Sequence, residues 1–221
     1  MHKLVTTKDL FSSFPSYIAP LFSDVHYPWE VLPLIGEYTR HLIDAGIEGF
    51  TLFAPDILIG PRVTIAKTAT LLGPAVIGAD CEIRPGAYLR GNILTGEGCV
   101  IGNSSELKNC ILLDKVQIPH YNYIGDSVLG NHAHTGAGTI CSNLRADGAP
   151  VTVHAEEEIA TSLRKLGAIL ADGADVGCNA VMNPGTVIGK NTTVYPLTSL
   201  RGVYPADAIV KSTHTVVKKI K

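Results

Sequence analysis

The chain has 221 residues, a formal net charge of −2 and no long basic run, so nucleic acid is not an expected partner. No stretch approaches the roughly 18 apolar residues that cross a bilayer, and the N-terminus shows no secretion signal, so no membrane partner is expected either. The five cysteines, an odd number without CxxC pairing, are typical of free thiols in a reducing compartment. This pattern predicts a cytoplasmic location.

Residues 1–53 are predicted to form a short helical segment. Between residues 28 and 45 the apolar side chains recur at helical spacing. Pro28 suits the first turn of this helix and Gly46 suits its end, whereas Pro33 is expected to kink the helix or delay its start. A shorter helix is expected within residues 8–22.

Residues 54–205 follow a six-residue hydrophobic repeat. A smaller or β-branched residue precedes most members by two positions. A period of six is typical of short strands that are separated by corners and stacked into a β-solenoid. The repeating set comprises Ile59, Ile65, Leu71, Ile77, Ile83, Leu89, Thr95, Ile101, Leu107 and Leu113, and then Leu170, Val176, Met182, Ile188, Val194 and Leu200.

Three repeats make a triangular coil of 18 residues, so residues 18 apart are expected about 4.8 Å from each other on neighbouring strands. The sequence therefore predicts an all-β parallel β-helix of hexapeptide repeats with about six coils, followed by a C-terminal tail at 206–221. Gly60, Gly78 and Gly102 each follow a member of the repeat and are expected at corners with an unusual backbone.

The repeat is interrupted twice. Around residues 116–120 one residue fewer separates the hydrophobic positions. Residues 141–167 are polar and charged and break the period, which predicts a long excursion from the coil. The segment VTV within the excursion favours an ordered arm.

Two cations are expected to stack on the outside of the solenoid. Arg90 and Lys108 each follow an inward hydrophobic residue, one coil apart. Such a pair is repulsive unless an anion lies between the charges, and phosphate is a natural ligand. Two solvated surface cations, or a bridge to Glu106, are the alternatives.

His120 lies at the shortened coil, where its side chain could leave the regular wall and enter a groove beside Asn122 and Tyr123. Histidine is a suitable general base near neutral pH, although a structural role is the alternative. His120, His132 and His134 could be imagined as zinc ligands, as in zinc hydratases of this fold class. No carboxylate pattern supports such a site, and no bound metal is expected.

Three segments within residues 90–143 carry a resemblance to a known family: GNSSELKN at 102–109, HYNYIGDS at 120–127 and GAGTICSN at 136–143. Their letters and spacing resemble the acetyltransferase domain of the bifunctional UDP-N-acetylglucosamine pyrophosphorylase / glucosamine-1-phosphate N-acetyltransferase. The resemblance implies a left-handed β-helix, a homotrimer whose sites lie between chains, and a role in UDP-N-acetylglucosamine biosynthesis. It also implies acetyl transfer from acetyl-CoA to the amine of an amino-sugar phosphate.

The resemblance assigns roles position by position. His120 falls on the family's general base, and a backbone amide or hydroxyl would stabilise the thioester oxyanion. The expected acceptor contacts are Arg90, Lys108, Tyr123, His134 and Asn143. The expected contacts to acetyl-CoA are Ala137, Cys178, Pro196 and Lys211.

The chain departs from the family pattern in several places. His134 replaces an asparagine, Pro196 replaces a small residue, and residues 144–146 replace a tyrosine-aspartate-glycine sequence. The first 53 residues are too few for the nucleotide-binding half, so uridylyltransferase activity is not expected. A non-catalytic module that binds a sugar phosphate or nucleotide-sugar is the main alternative to an acetyltransferase, and a zinc hydratase is a further one.

Overall fold

The computed structural model describes residues 5–213 and 215–219. Its N-terminal part contains two α-helices, Thr7–Leu10 and Ile35–Ala45, and two short 3₁₀ helices, Ala19–Phe22 and Pro28–Val31. Pro33 does delay the longer helix, which begins at Ile35 and ends at Ala45, and Gly46 caps its C-terminus with a φ of 74°. A strand at Thr51–Ala54 then pairs antiparallel with the first strand of the solenoid.

From Ile57 the chain forms the predicted left-handed parallel β-helix, and the all-β fold class is confirmed. Each coil contributes one strand to each of three faces. The first face consists of Ile57–Ile59, Ala75–Ile77, Ile93–Thr95, the second half of Glu106–Leu112, the second half of Tyr123–Leu129, Ala168–Leu170, Thr186–Ile188 and Val203–Tyr204.

The second face consists of Thr64–Ile65, Glu82–Ile83, Val100–Asn103, Gln117–His120, His134–Thr135, Asp175–Val176, Thr193–Val194 and Ala208–Ser212. The third face consists of Thr70–Leu72, Tyr88–Arg90, the first half of Glu106–Leu112, the first half of Tyr123–Leu129, Ile140–Cys141, Val181–Met182 and Ser199–Leu200. The described residues thus make seven complete coils and part of an eighth, which Thr215–Lys218 closes as an antiparallel strand. The strand Ala208–Ser212 lies beyond residue 205, where the repeat in the sequence ends.

The inner core is a thin column of aliphatic side chains, as the six-residue repeat predicts. One member was assigned wrongly: Leu112 faces this core, whereas Leu113 belongs to a separate cluster outside the coil. The coils shorten from 18 to 17 residues at an earlier position than the sequence indicates. Leu107 still pairs with Leu89, 18 residues before it, whereas Cys110 already pairs with Ile93, 17 residues before it. The shortening therefore lies at the corner of Asn109.

The same shortened corner recurs one coil later at Asp126, which separates the two halves of Tyr123–Leu129. Asn109 and Asp126 both have a φ of 48°, a conformation that Asn and Asp tolerate better than most side chains. These two corners bring the side chains of the candidate site together.

The explanation for Gly60, Gly78 and Gly102 also needs correction, because none of them has a positive φ. They are required by the close stacking of the coils. A Cβ atom on Gly102 would lie only 1.6 Å from the carbonyl oxygen of Pro119 in the next coil.

The outside of the first face is as apolar as the inside, and two segments cover it. The N-terminal segment buries Trp29 and Ile35 against its early coils. The excursion at 141–167 forms an antiparallel hairpin, Thr152–His154 with Glu158–Ala160, and buries Val153 against the later coils. No helix among the described residues is long and apolar enough to cross a membrane.

Candidate functional site

Four residues expected at the reaction centre and coenzyme path lie in one column at the corner between the second and third faces. A backbone ladder aligns them. The Gly138 N–H donates to the His120 carbonyl at 3.1 Å, the Asn179 N–H to the Ala137 carbonyl at 2.8 Å, and the Leu197 N–H to the Cys178 carbonyl at 2.9 Å. These equivalent bonds place His120, Ala137, Cys178 and Pro196 at the same position of successive coils. We call this set the corner column.

Lys211 lies close to the end of the corner column. The Tyr195 N–H donates to the Val210 carbonyl, so the register places the exposed Lys211 level with Tyr195, one position before Pro196. Cys178 and Pro196 are exposed and Ala137 is half-buried. The four residues expected to contact acetyl-CoA therefore share one continuous edge of the solenoid.

His120 is exposed at the head of this column, and its ring makes no hydrogen bond to any residue in the described part of the chain. Its backbone is held firmly, because its N–H donates to the Asn122 side-chain oxygen at 3.2 Å and its carbonyl accepts from Gly138. The buried Asn122 amide in turn donates to the Gly136 carbonyl at 2.7 Å. The imidazole is thus free to meet a ligand on a fixed backbone.

Arg90 and Lys108 occupy equivalent positions of adjacent strands on the third face, because Leu107 pairs with Leu89. Each cation has a carboxylate partner. Arg90 Nη1 lies 2.6 Å from Glu106 Oε1, and this contact raises the pKa of the Arg90 guanidinium. The bridge to Glu106 that the sequence left open is therefore present.

Lys108 has a different partner, which the sequence reasoning missed. Its Nζ lies 3.4 Å from Asp126 Oδ2, and the Asp126 side chain is only 7% exposed. The same carboxylate accepts from Asn109 Nδ2 at 2.9 Å and from Asn143 Nδ2 at 2.5 Å. A buried charge must be compensated by such donors, so Asp126 fixes both Lys108 and Asn143.

Tyr123 completes this network. Its hydroxyl accepts from Asn143 Nδ2 at 3.2 Å, and burial raises the pKa of its phenol, so it remains a hydrogen-bond donor at neutral pH. Three residues expected to bind the acceptor are thus joined through one carboxylate. We call Lys108, Tyr123, Asp126 and Asn143 the Asp126 network.

An 18-residue count from Lys108 reaches Asp126, but the same count does not reach the other two donors of the network. Asn109 and Asp126 are 17 residues apart, as are the other pairs of these two coils. A search for polar residues at corners that have lost one residue would have found Asp126.

His134 lies on the outside of the second face rather than in the Asp126 network. Its Nδ1 is 2.7 Å from Asp175 Oδ1 in the neighbouring strand. No group of three or more histidine, cysteine or acidic side chains that could hold a metal occurs within residues 5–213 and 215–219. The described histidines therefore give no support to a zinc site.

The site spans a single face. His120 lies at one edge of the third face, and the strand from Tyr123 leads across that face to the Asp126 corner at the other edge. A strand rises about 3.3 Å per residue, so a ligand held by the Asp126 network lies within about 10 to 15 Å of the His120 ring.

Comparison with known proteins confirms the resemblance found in the sequence. The GMPPB C-terminal domain family matches residues 71–163. The bifunctional protein GlmU of Methanococcus vannielii is 32% identical over 176 residues, which cover 78% of this chain and 42% of the relative. The bifunctional protein GlmU of Methanococcus aeolicus is 30% identical over 218 residues, which cover 90% of this chain and 49% of the relative.

The matches cover the C-terminal part of these bifunctional relatives, and the chain spans less than half of their length. Among solved structures, the UDP-N-acetylglucosamine O-acyltransferase of Moraxella catarrhalis is similar, with a TM-score of 0.39 and 17% identity over 71% of this chain and 66% of that one.

Proposed function

We propose that this protein transfers the acetyl group of acetyl-CoA to the amine of an amino-sugar phosphate such as glucosamine 1-phosphate. The observation that carries the proposal is the Asp126 network on the third face, with the His120 ring free at the edge of the same face. The similarity to the bifunctional GlmU proteins supports it.

In the proposed reaction the acceptor phosphate lies against Arg90 and Lys108, while Glu106 and Asp126 hold the two cations in place. Asn143 and Tyr123 offer hydrogen bonds to the sugar hydroxyls. This arrangement directs the amine toward His120.

His120 accepts a proton as the amine nitrogen attacks the thioester carbon, and a C–N bond forms. The C–S bond then breaks, and the coenzyme thiolate leaves and takes up the proton from His120. General base catalysis contributes about 10² to 10⁴ in rate, and holding amine and thioester together contributes much of the remainder.

The corner column supplies the path for the coenzyme. The pantetheine arm would run past Ala137, Cys178 and Pro196, with Lys211 near the coenzyme phosphates. The Ala137 N–H makes no backbone hydrogen bond within the described residues, so it is available to the thioester oxyanion.

Because the column is an exposed edge, we propose that a second chain of a homotrimer lies alongside it and leaves an open groove for acetyl-CoA between the two chains. Light scattering on the purified protein tests this, with an expected mass of about 70 kDa, three times that of the 23.5 kDa chain.

The experiment that tests the function is an acetyl transfer assay by mass spectrometry with glucosamine 1-phosphate, glucosamine and a panel of other amines. Glucosamine 1-phosphate should be acetylated at least tenfold more efficiently than glucosamine, because only the phosphate can use Arg90 and Lys108. Equal use of both amines would refute the phosphate role.

A non-catalytic sugar-phosphate binding module is the second candidate. It is favoured by the changed sequence at residues 144–146. Tight binding of glucosamine 1-phosphate in calorimetry, with no acetyl-CoA cleavage for any amine, would establish this function instead.

A further inference from the structure

A second polar groove lies between the excursion and the last coils, and its lining residues Ser142 and Leu144 flank Asn143 of the Asp126 network. Its volume is about 440 Å³, within the range of small-molecule sites. One wall carries Asn183 and Arg201, at equivalent positions of neighbouring strands because Met182 pairs with Leu200. The other wall carries Leu144, Arg145 and His154 of the excursion. We call this the arm groove.

Arg201 is the unusual group in the arm groove. It is exposed, and within the described chain its side chain has no carboxylate partner. Instead Nη2 lies 2.9 Å from His154 Nε2, and His154 Nδ1 lies 3.2 Å from Glu158 Oε1. An imidazole nitrogen that accepts from Arg201 is neutral, so the contact orients the guanidinium without neutralising its charge.

Arg145 adds a second guanidinium, which is largely neutralised. Its Nε and Nη2 lie 3.0 and 2.6 Å from the two oxygens of Asp147, and Arg145 lowers the pKa of that carboxyl to about 2. The Nη1 group of Arg145 is left for a ligand. The side chains that line the groove therefore carry a net charge of one positive unit, which Arg201 contributes. Glu158 lies behind His154 and does not line the groove.

The size and composition of the groove limit the kinds of ligand that it can bind. A single phosphate would fill only a small part of 440 Å³, and the exposed side chain of Leu144 and the ring of Pro184 offer apolar surface for a flat or sugar group. Two guanidinium groups suit adjacent phosphates, since each presents its N–H groups in a planar fork.

We propose that the arm groove binds a nucleoside diphosphate, free or as the carrier of a sugar, with Arg201 as its main phosphate contact. This site does not depend on acetyl transfer, because neither acetyl-CoA nor His120 takes part in it.

Isothermal titration calorimetry with UDP and ADP tests the proposal on the full-length protein, with uridine and pyrophosphate as comparison probes. UDP or ADP should bind once per chain, and both comparison probes should bind at least tenfold more weakly. Arg201→Ala should weaken binding at least tenfold, and Arg201→Lys should restore part of it.

The matched control is Arg62→Ala, which removes a guanidinium that contacts both oxygens of Asp80 on an early coil, far along the solenoid from the arm groove. It should leave the Kd within twofold, and circular dichroism should show each variant folded. The proposal is overturned if UDP and ADP do not bind at millimolar concentration, if pyrophosphate or uridine binds as well as they do, or if Arg90→Ala rather than Arg201→Ala abolishes binding.

Discussion

Replacement of Asp126 by asparagine tests the Asp126 network most sharply, because the new side chain keeps the shape and removes the charge. Asparagine also tolerates the φ of 48° at this corner, so the backbone need not change. The carboxylate accepts from Lys108, Asn109 and Asn143. In the variant one oxygen becomes an NH₂ group that faces these donors.

The expected loss of stability follows from the hydrogen-bonding groups that the substitution leaves without a partner. At least one buried donor loses its acceptor and the new NH₂ faces another donor, which costs about 2 to 3 kcal/mol in unfolding free energy. For a chain of this size that lowers Tm by about 4 to 12 °C. Since Lys108 and Asn143 lose their shared anchor, KM for glucosamine 1-phosphate should rise about tenfold, equivalent to about 1.4 kcal/mol.

Thermal unfolding and steady-state kinetics on Asp126→Asn measure both effects. The matched control is Asp80→Asn, which removes a carboxylate from an exposed pair with Arg62 and should change neither Tm nor KM measurably. If Asp126→Asn leaves Tm and KM at the wild-type values, Asp126 does not organise the site as described.

Three further predictions concern reactivity, stability and acceptor binding. Of the five cysteines only Cys178 is exposed, and burial raises the pKa of the Cys141 thiol to about 12. Ellman's reagent should therefore titrate one thiol in the native protein and five after denaturation, and acetyl-CoA should slow the native reaction. A native titre of five thiols would contradict the burial of the other four. Trp29 is 2% exposed in the cluster outside the first face, so Trp29→Ala should lower the free energy of unfolding in urea by about 3 to 5 kcal/mol, and a loss below 1 kcal/mol would show that the N-terminal segment contributes little. Tyr123→Phe removes the hydroxyl bonded to Asn143 and should raise KM for the acceptor severalfold at nearly unchanged kcat, whereas a fall in kcat alone would contradict a binding role.

The fold could be predicted from the sequence because a period of six leaves few alternatives. Inward residues such as Ile77 and Leu89 are fully buried at the predicted spacing. The choice between Leu112 and Leu113 could not be made, because both are apolar and both are buried, one in each cluster. Only the pairing of coils identifies the inward residue.

The sequence predicts some residues of the candidate site but not others. An 18-residue count places Lys108 beside Arg90, and the structure has that arrangement. Asp126 lies 18 residues after Lys108, within reach of the same count. Its other two partners, Asn109 and Asn143, lie 17 residues away across shortened corners, so the network as a whole was missed. The Asp126 carboxylate accepts from donors in the two flanking coils, which no local pattern in the sequence contains.

The arm groove was beyond sequence reasoning as well. The excursion at 141–167 was expected to be ordered, but its packing on the first face depends on the apolar outer surface of strands such as Thr186–Ile188. That packing brings His154 to Arg201, two residues far apart in the chain. Long-range contacts of this kind follow from the register of the coils.

The most direct test of the proposed function is the rate of acetyl transfer from acetyl-CoA to glucosamine 1-phosphate by wild-type protein and by His120→Gln. His120 is exposed and its ring is unbonded within the described residues, so the variant should remain folded with an unchanged Tm and an acceptor KM close to wild type. Its kcat should fall by about 10² or more, the usual contribution of a general base. A wild-type rate in His120→Gln, or no transfer at all by the folded wild-type protein, would contradict the proposed mechanism.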